Sequence, residues 1–103
     1  MKKQEIFDLI LSEVADVCNV KVEEIKSKGR RTDVVDARCI AVRYAYVKFK
    51  LTTRDIANLF GIYTMRNVSR LLNLFYARKS SYSFKEYIKA LDNKFSIFEA
   101  NQS

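Results

Sequence analysis

Residues 51–78 read LTTRDIANLFGIYTMRNVSRLLNLFYAR, and the fold turns on this stretch. Thr52 has the side chain of a helix N-cap, and Asp55 three residues later gives capping-box spacing, in which each side chain binds the other residue's N–H. Ile56, Leu59 and Phe60 then share one face at steps of three and four. Gly61 ends that helix, because glycine takes the left-handed conformation of a helix end at little steric cost. Ile62 and Tyr63 make a turn, and Thr64 suits the cap of a second helix. Val68, Leu71, Leu72 and Phe75 form its apolar stripe, leaving Arg66, Asn67, Arg70 and Asn73 outside. A short helix, a glycine turn and a second helix with Arg and Asn outward is a helix-turn-helix pattern at about 52–78. Such a unit sets its second helix in the major groove of a duplex.

Charge gathers around this unit. Residues 1–25 carry three Lys against six Asp/Glu, residues 26–79 carry thirteen Lys/Arg against three Asp, and residues 80–103 balance three against three. The net +7 of the chain is therefore an acidic start followed by a basic block. A concentrated block of this kind is the footprint of a phosphate-binding surface, although a solvated basic face kept for solubility has the same composition.

Upstream, residues 3–19 predict a helix with Ile6, Ile10, Val14 and Val17 on one stripe, widened by Phe7, Leu11 and Cys18. Val22–Ile25 reads as one helical turn. Lys26-Ser27-Lys28-Gly29-Arg30-Arg31 follows as a basic loop, either a solvated linker or an arm that enters a groove. From Thr32 or Asp33 to Lys50 runs the longest expected helix, apolar over more than half its girth and so central, with Arg38, Arg43 and Lys48 marking its wetter face. Downstream, Ser83 and Glu86 have capping-box spacing for a last helix over about 83–98. Phe84, Tyr87, Ile88, Leu91, Phe95 and Phe98 are its stripe, suited to packing on the body or to a homodimer contact. Asn101-Gln102-Ser103 is expected to fray.

The fold class is therefore all-α: a compact bundle of about five helices in one domain over 1–103, long enough to bury roughly 60–70% of its unfolded surface. Absent Pro and only two Gly agree with that. Cys18 and Cys39 lie inside apolar patterns and are expected as buried core residues. With no His and two isolated Cys there is no ligand set for zinc, no cofactor motif and no P-loop, so an enzyme is not expected. No apolar run reaches the ~20 residues of a membrane span, and a soluble, cytoplasmic, nucleoid-associated protein is the expectation.

Three segments together resemble the C-terminal DNA-binding domain of the bacterial replication initiator DnaA, a helical fold related to the Trp repressor. VADVCNVKVEEIKSKGRR (14–31) is similar to the family's opening and basic loop, VVDARCIAVRYA (34–45) to its central helix, and LTTRDIANLFG (51–61) to the first helix of its reading unit. The resemblance spans roughly residues 6–78. It implies double-stranded DNA as partner, with replication proteins as further candidates, in replication initiation or its control, or in transcription regulation. It gives Arg30 the place of a loop arginine that enters the minor groove, with Lys28 and Arg31 beside it. Arg38 falls near the DNA backbone, and Thr52 and Thr53 where the first reading helix touches DNA. The family signature G-G-R-D-H-[ST]-[TS]-V has become Gly61-Ile62-Tyr63-Thr64-Met65-Arg66-Asn67-Val68. Tyr63, Thr64 and Met65 thus replace its reading Arg, Asp and His. Arg66 and Asn67 are placed to read guanine and adenine respectively, and Tyr63, Thr64, Met65 and Arg70 complete the candidate DNA-binding set on this unit. The rival reading is a protein-interaction module that kept the fold and lost specific DNA binding. No room remains in 103 residues for the initiator's ATPase module, so a full initiator is not expected.

Overall fold

A computed structural model describes residues 2–102, with side chains as far as residue 95. Its helices are α1 (Lys3–Cys18), α2 (Val22–Ile25), α3 (Thr32–Val47), α4 (Thr53–Phe60), α5 (Met65–Arg78) and α6 (Tyr82–Gln102). Among the described residues there are six helices, in keeping with the all-α bundle of about five, the expected single turn at Val22–Ile25 counting as one of them. Among the described residues no helix is long and apolar enough to cross a membrane.

Local chemistry sets most boundaries. Asn19 closes α1 in the left-handed conformation (φ 56°), and the N–H groups of Asn19 and Val20 bind back to Ala15 and Asp16. Thr52 and Asp55 form the expected capping box at the start of α4, and Gly61 ends that helix at φ 82°. Two ends differ from expectation. Helix α3 stops at Val47, not Lys50, because Lys50 takes a left-handed φ of 61° that turns the chain and carries Leu51 into the core, 4% exposed. Phe49 prolongs the apolar period past the helix because it packs edge-on to Phe95 at 5.7 Å. At α6 the cap is Ser81, whose hydroxyl accepts from the Phe84 N–H at 3.3 Å; Ser83 lies one residue inside the helix. The α6 backbone stays helical to Gln102, so fraying at Asn101 and Gln102 is not seen, whereas Ser103 and the Phe98 side chain lie outside the described residues.

Helix α3 is the hub, packed against α1, α2, α4 and α5. Ala37, Ala41 and Ala45, each wholly buried, recur at steps of four, and such small side chains let neighbouring helices approach closely. Phe7 from α1 fills the gap toward α4, edge-on to Phe60 at 5.0 Å. Cys18 and Cys39 are free and buried as expected, and burial pushes their thiols up to about 12 and about 11, which keeps both neutral. The α6 stripe turns inward: Phe84, Leu91 and Phe95 are all at most 1% exposed. One polar tie also crosses the core, where Arg78 at the end of α5 pairs with Asp36, a buried carboxylate on α3.

Candidate nucleic-acid interface

The basic loop and the outer face of α5 meet across an open cleft of about 370 Å3. Lys28 and Arg30 stand on the loop side and Asn67 and Arg70 on the α5 side, over an apolar floor that includes Leu71 and Leu74. No Asp or Glu lines it. Lys28, Arg30 and Arg70 are exposed and, among the described residues, have no ion-pair partner, so their charge is uncompensated.

Two side chains fix the loop, Arg38 against α3 and Tyr63 against the helix-turn-helix. Arg38 is 5% exposed. Its Nε donates to the Ile25 carbonyl at 2.9 Å, one Nη to Gly29 at 3.0 Å and the other to Glu24 at 3.1 Å. This corrects the expectation that Arg38 marks the wetter face of α3, although the side chain still contributes to the lining of the cleft. A five-donor planar fork has been used to bind carbonyls of α2 and the loop, and it is turned away from solvent. Tyr63 is the second tie. Its hydroxyl donates to the Ser27 carbonyl at 2.7 Å and its ring stands edge-on to Phe60 at 4.9 Å. The Arg38 guanidinium lies 5.9 Å from the ring centroid. Burial pushes the Tyr63 hydroxyl above its ordinary value, against the opposing pull of Arg38 and Arg70, so it stays a proton donor. Tyr63, expected in the turn at the place of the family's reading arginine, is thus a strut for the loop. Tyr63→Phe is expected to lower stability by about 1 kcal/mol, the net worth of one hydrogen bond, and to quicken amide exchange in residues 26–30. Exchange equal to wild type in that loop would deny the tie.

The other expected residues divide by position. Arg31 does not join the cleft: it is held between Glu24 at 2.8 Å and Asp33 at 2.7 Å, and lines a separate hollow with Thr32, Asp33, Asp36, Ser83 and Tyr87. The Arg31 guanidinium in turn keeps the Asp33 carboxyl below its usual range. Thr52 and Thr53 sit apart at the α3–α4 corner, sharing a hollow with Tyr46 and Lys50. Asp55 there is held below the ordinary carboxylate range, first by the Thr52 N–H and then by Lys3 at 3.2 Å. Thr64, Met65 and Arg66 are exposed at the start of α5. Asn67 is half-buried, and its Oδ1 already accepts from the Thr64 N–H at 3.0 Å and the Thr64 hydroxyl at 3.1 Å. It closes a second capping box, which leaves a bidentate grip on adenine without its acceptor. The T-x-x-N spacing of 64–67 was the sequence signal for that box. Lys50 was missed as a corner residue, its φ of 61° being hidden inside an extended apolar period.

The class these features define is a compact all-helical helix-turn-helix protein with a tethered basic loop. The chain belongs to the bacterial DnaA helix-turn-helix family: the family described as "Bacterial dnaA protein helix-turn-helix" matches residues 7–71. Among its relatives, the "Chromosomal replication initiator protein DnaA" of Nautilia profundicola is 34% identical over 98 residues, covering 92% of this chain and 22% of that protein. The protein of the same description from Sulfurimonas denitrificans is 32% identical over 94 residues, covering 84% of this chain and 20% of the relative. The chain thus spans about a fifth of the length of these curated relatives. No solved structure gives a significant match.

Proposed function

We propose that this chain binds double-stranded DNA, α5 entering the major groove while Lys28 and Arg30 reach the adjoining minor groove or its phosphates, and that it acts in replication initiation or its control at the nucleoid. The observation that carries the reading is the single cleft that gathers Lys28, Arg30 and Arg70 without a carboxylate. A field of unpaired cations beside a projecting helix suits a polyanion, since neutralised phosphates release counterions and the entropy gain drives binding. Arg66, exposed at the tip of α5, extends the same positive surface.

The deciding experiment is a salt titration of duplex affinity. Wild type is expected to show a steep log–log decline, and Arg30→Ala to lose affinity and to flatten the slope by about 0.9, the share of one phosphate contact. An unaltered slope in Arg30→Ala would take the loop out of the interface. Salt-insensitive or undetectable duplex binding by wild type would favour the protein-interaction reading.

A further inference from the structure

The turn and the first residue of α5 expose two large apolar side chains, Ile62 at 44% and Met65 at 45%. Neither belongs to the core cluster nor to the partly buried residues packed on it, so the fold does not account for them. Their polar neighbours are engaged. The Tyr63 hydroxyl is bound to Ser27, and Thr64 and Asn67 close a cap on each other. Arg66 beside them is exposed and, among the described residues, without an ion-pair partner.

This pattern has a consequence for base recognition, resting on the duplex-binding reading above. The first residues of a recognition helix are the ones that meet base edges. In the major groove guanine offers two acceptors and cytosine a donor, and each needs a polar partner. Only thymine presents an apolar group there, its C5-methyl. With the Tyr63 and Thr64 hydroxyls and the Asn67 Oδ1 committed within the protein, the helix start presents to a base edge carbon and thioether surface beside the Asn67 amide nitrogen and Arg66. The flanking cation Arg66, with Arg70 and Lys28 in the adjoining cleft, selects a polyanion over an apolar protein surface. We propose that Ile62 and Met65 are specificity-determining residues that read thymine C5-methyl groups, so that the preferred duplex carries thymines facing the start of α5.

The test begins with duplexes selected from a pool with a randomised centre and remade with deoxyuridine in place of thymidine, one position at a time, which deletes only the methyl. At one or two positions wild type is expected to lose about fourfold per methyl, the effect of withdrawing one methyl-sized apolar group from contact. Met65→Ala and Ile62→Ala should bind the thymidine and deoxyuridine forms alike at the position each one reads. Both residues are exposed, so these variants fold, and Met65→Gln, which keeps the side-chain length, serves as a second check. Equal affinity of wild type for both forms, with binding still steeply salt-dependent, overturns the inference and leaves duplex binding standing. Full discrimination retained by all three variants also overturns it. Absence of salt-dependent duplex binding removes the functional reading and this inference together.

Discussion

Arg38→Ala is expected to destabilise the protein by about 3–5 kcal/mol while leaving the salt dependence of duplex binding unchanged. The first half follows from burial. The Ile25 and Gly29 carbonyls have this guanidinium as their donor, the Glu24 carbonyl shares it with Ser27, and a hydrogen bond to a charged group contributes about 1.5–3 kcal/mol, without strict additivity. Alanine leaves the Ile25 and Gly29 carbonyls without their donor and empties the space of a long side chain that is 5% exposed. Lysine should recover only a fraction, because one ammonium on a flexible stem does not span three acceptors set for a planar fork. The second half follows from where the charge points: a guanidinium facing carbonyls neutralises no phosphate, so removing it releases no counterion. Urea unfolding gives the stability and a salt titration of the folded variant gives the slope. A variant of wild-type midpoint with a slope lower by about 0.9 would restore Arg38 to the DNA backbone.

The same residue shows where the sequence stops being informative. Periodicity located α1, α4 and α5 and the central place of α3, because side-chain burial along a helix is a local pattern of steps of three and four. Capping chemistry is equally local, which is why Thr52, Asp55 and Gly61 were legible. The polar ties that shape the candidate site are not local. Arg38 meets partners 9, 13 and 14 residues away, Tyr63 meets Ser27 at a separation of 36, and Arg78 meets Asp36 at 42. An arginine in an apolar helix reads as a wet face unless the carbonyls that bury it are in view. Arg31 shows the converse: it sits in the basic run, yet Glu24 and Asp33 compensate it once the loop has folded back. Asn67 is a subtler case, since outward placement on α5 suggested a base reader while the T-x-x-N spacing pointed to a cap. Both signals were local, and the cap has taken the oxygen the reader needed.

Phe95→Ala should cost about 3–5 kcal/mol, the usual toll for truncating a buried phenylalanine, and lower the unfolding temperature by about 10 °C or more. The ring is 1% exposed and sits 5.0 Å from Tyr44 and 5.7 Å from Phe49, so its loss opens a cavity between α6 and the C-terminal end of α3. Tyr44 is bound through its hydroxyl to Asp92, one turn before Phe95 on α6, and that tie keeps the walls of the cavity from collapsing inward. Phe95→Glu should be worse than alanine, since it adds a carboxylate without a partner to the same space. These outcomes also bear on the other use of the α6 stripe. A stripe that served a homodimer would present Phe95 to a second copy, and Phe95→Glu would then yield a folded monomer of near-native stability from a wild-type dimer. A stripe occupied within its own chain gives a lower midpoint and no change in oligomeric state. Sedimentation and thermal unfolding on the same samples distinguish the two, and the burial of Phe84, Leu91 and Phe95 against the chain's own core favours the second.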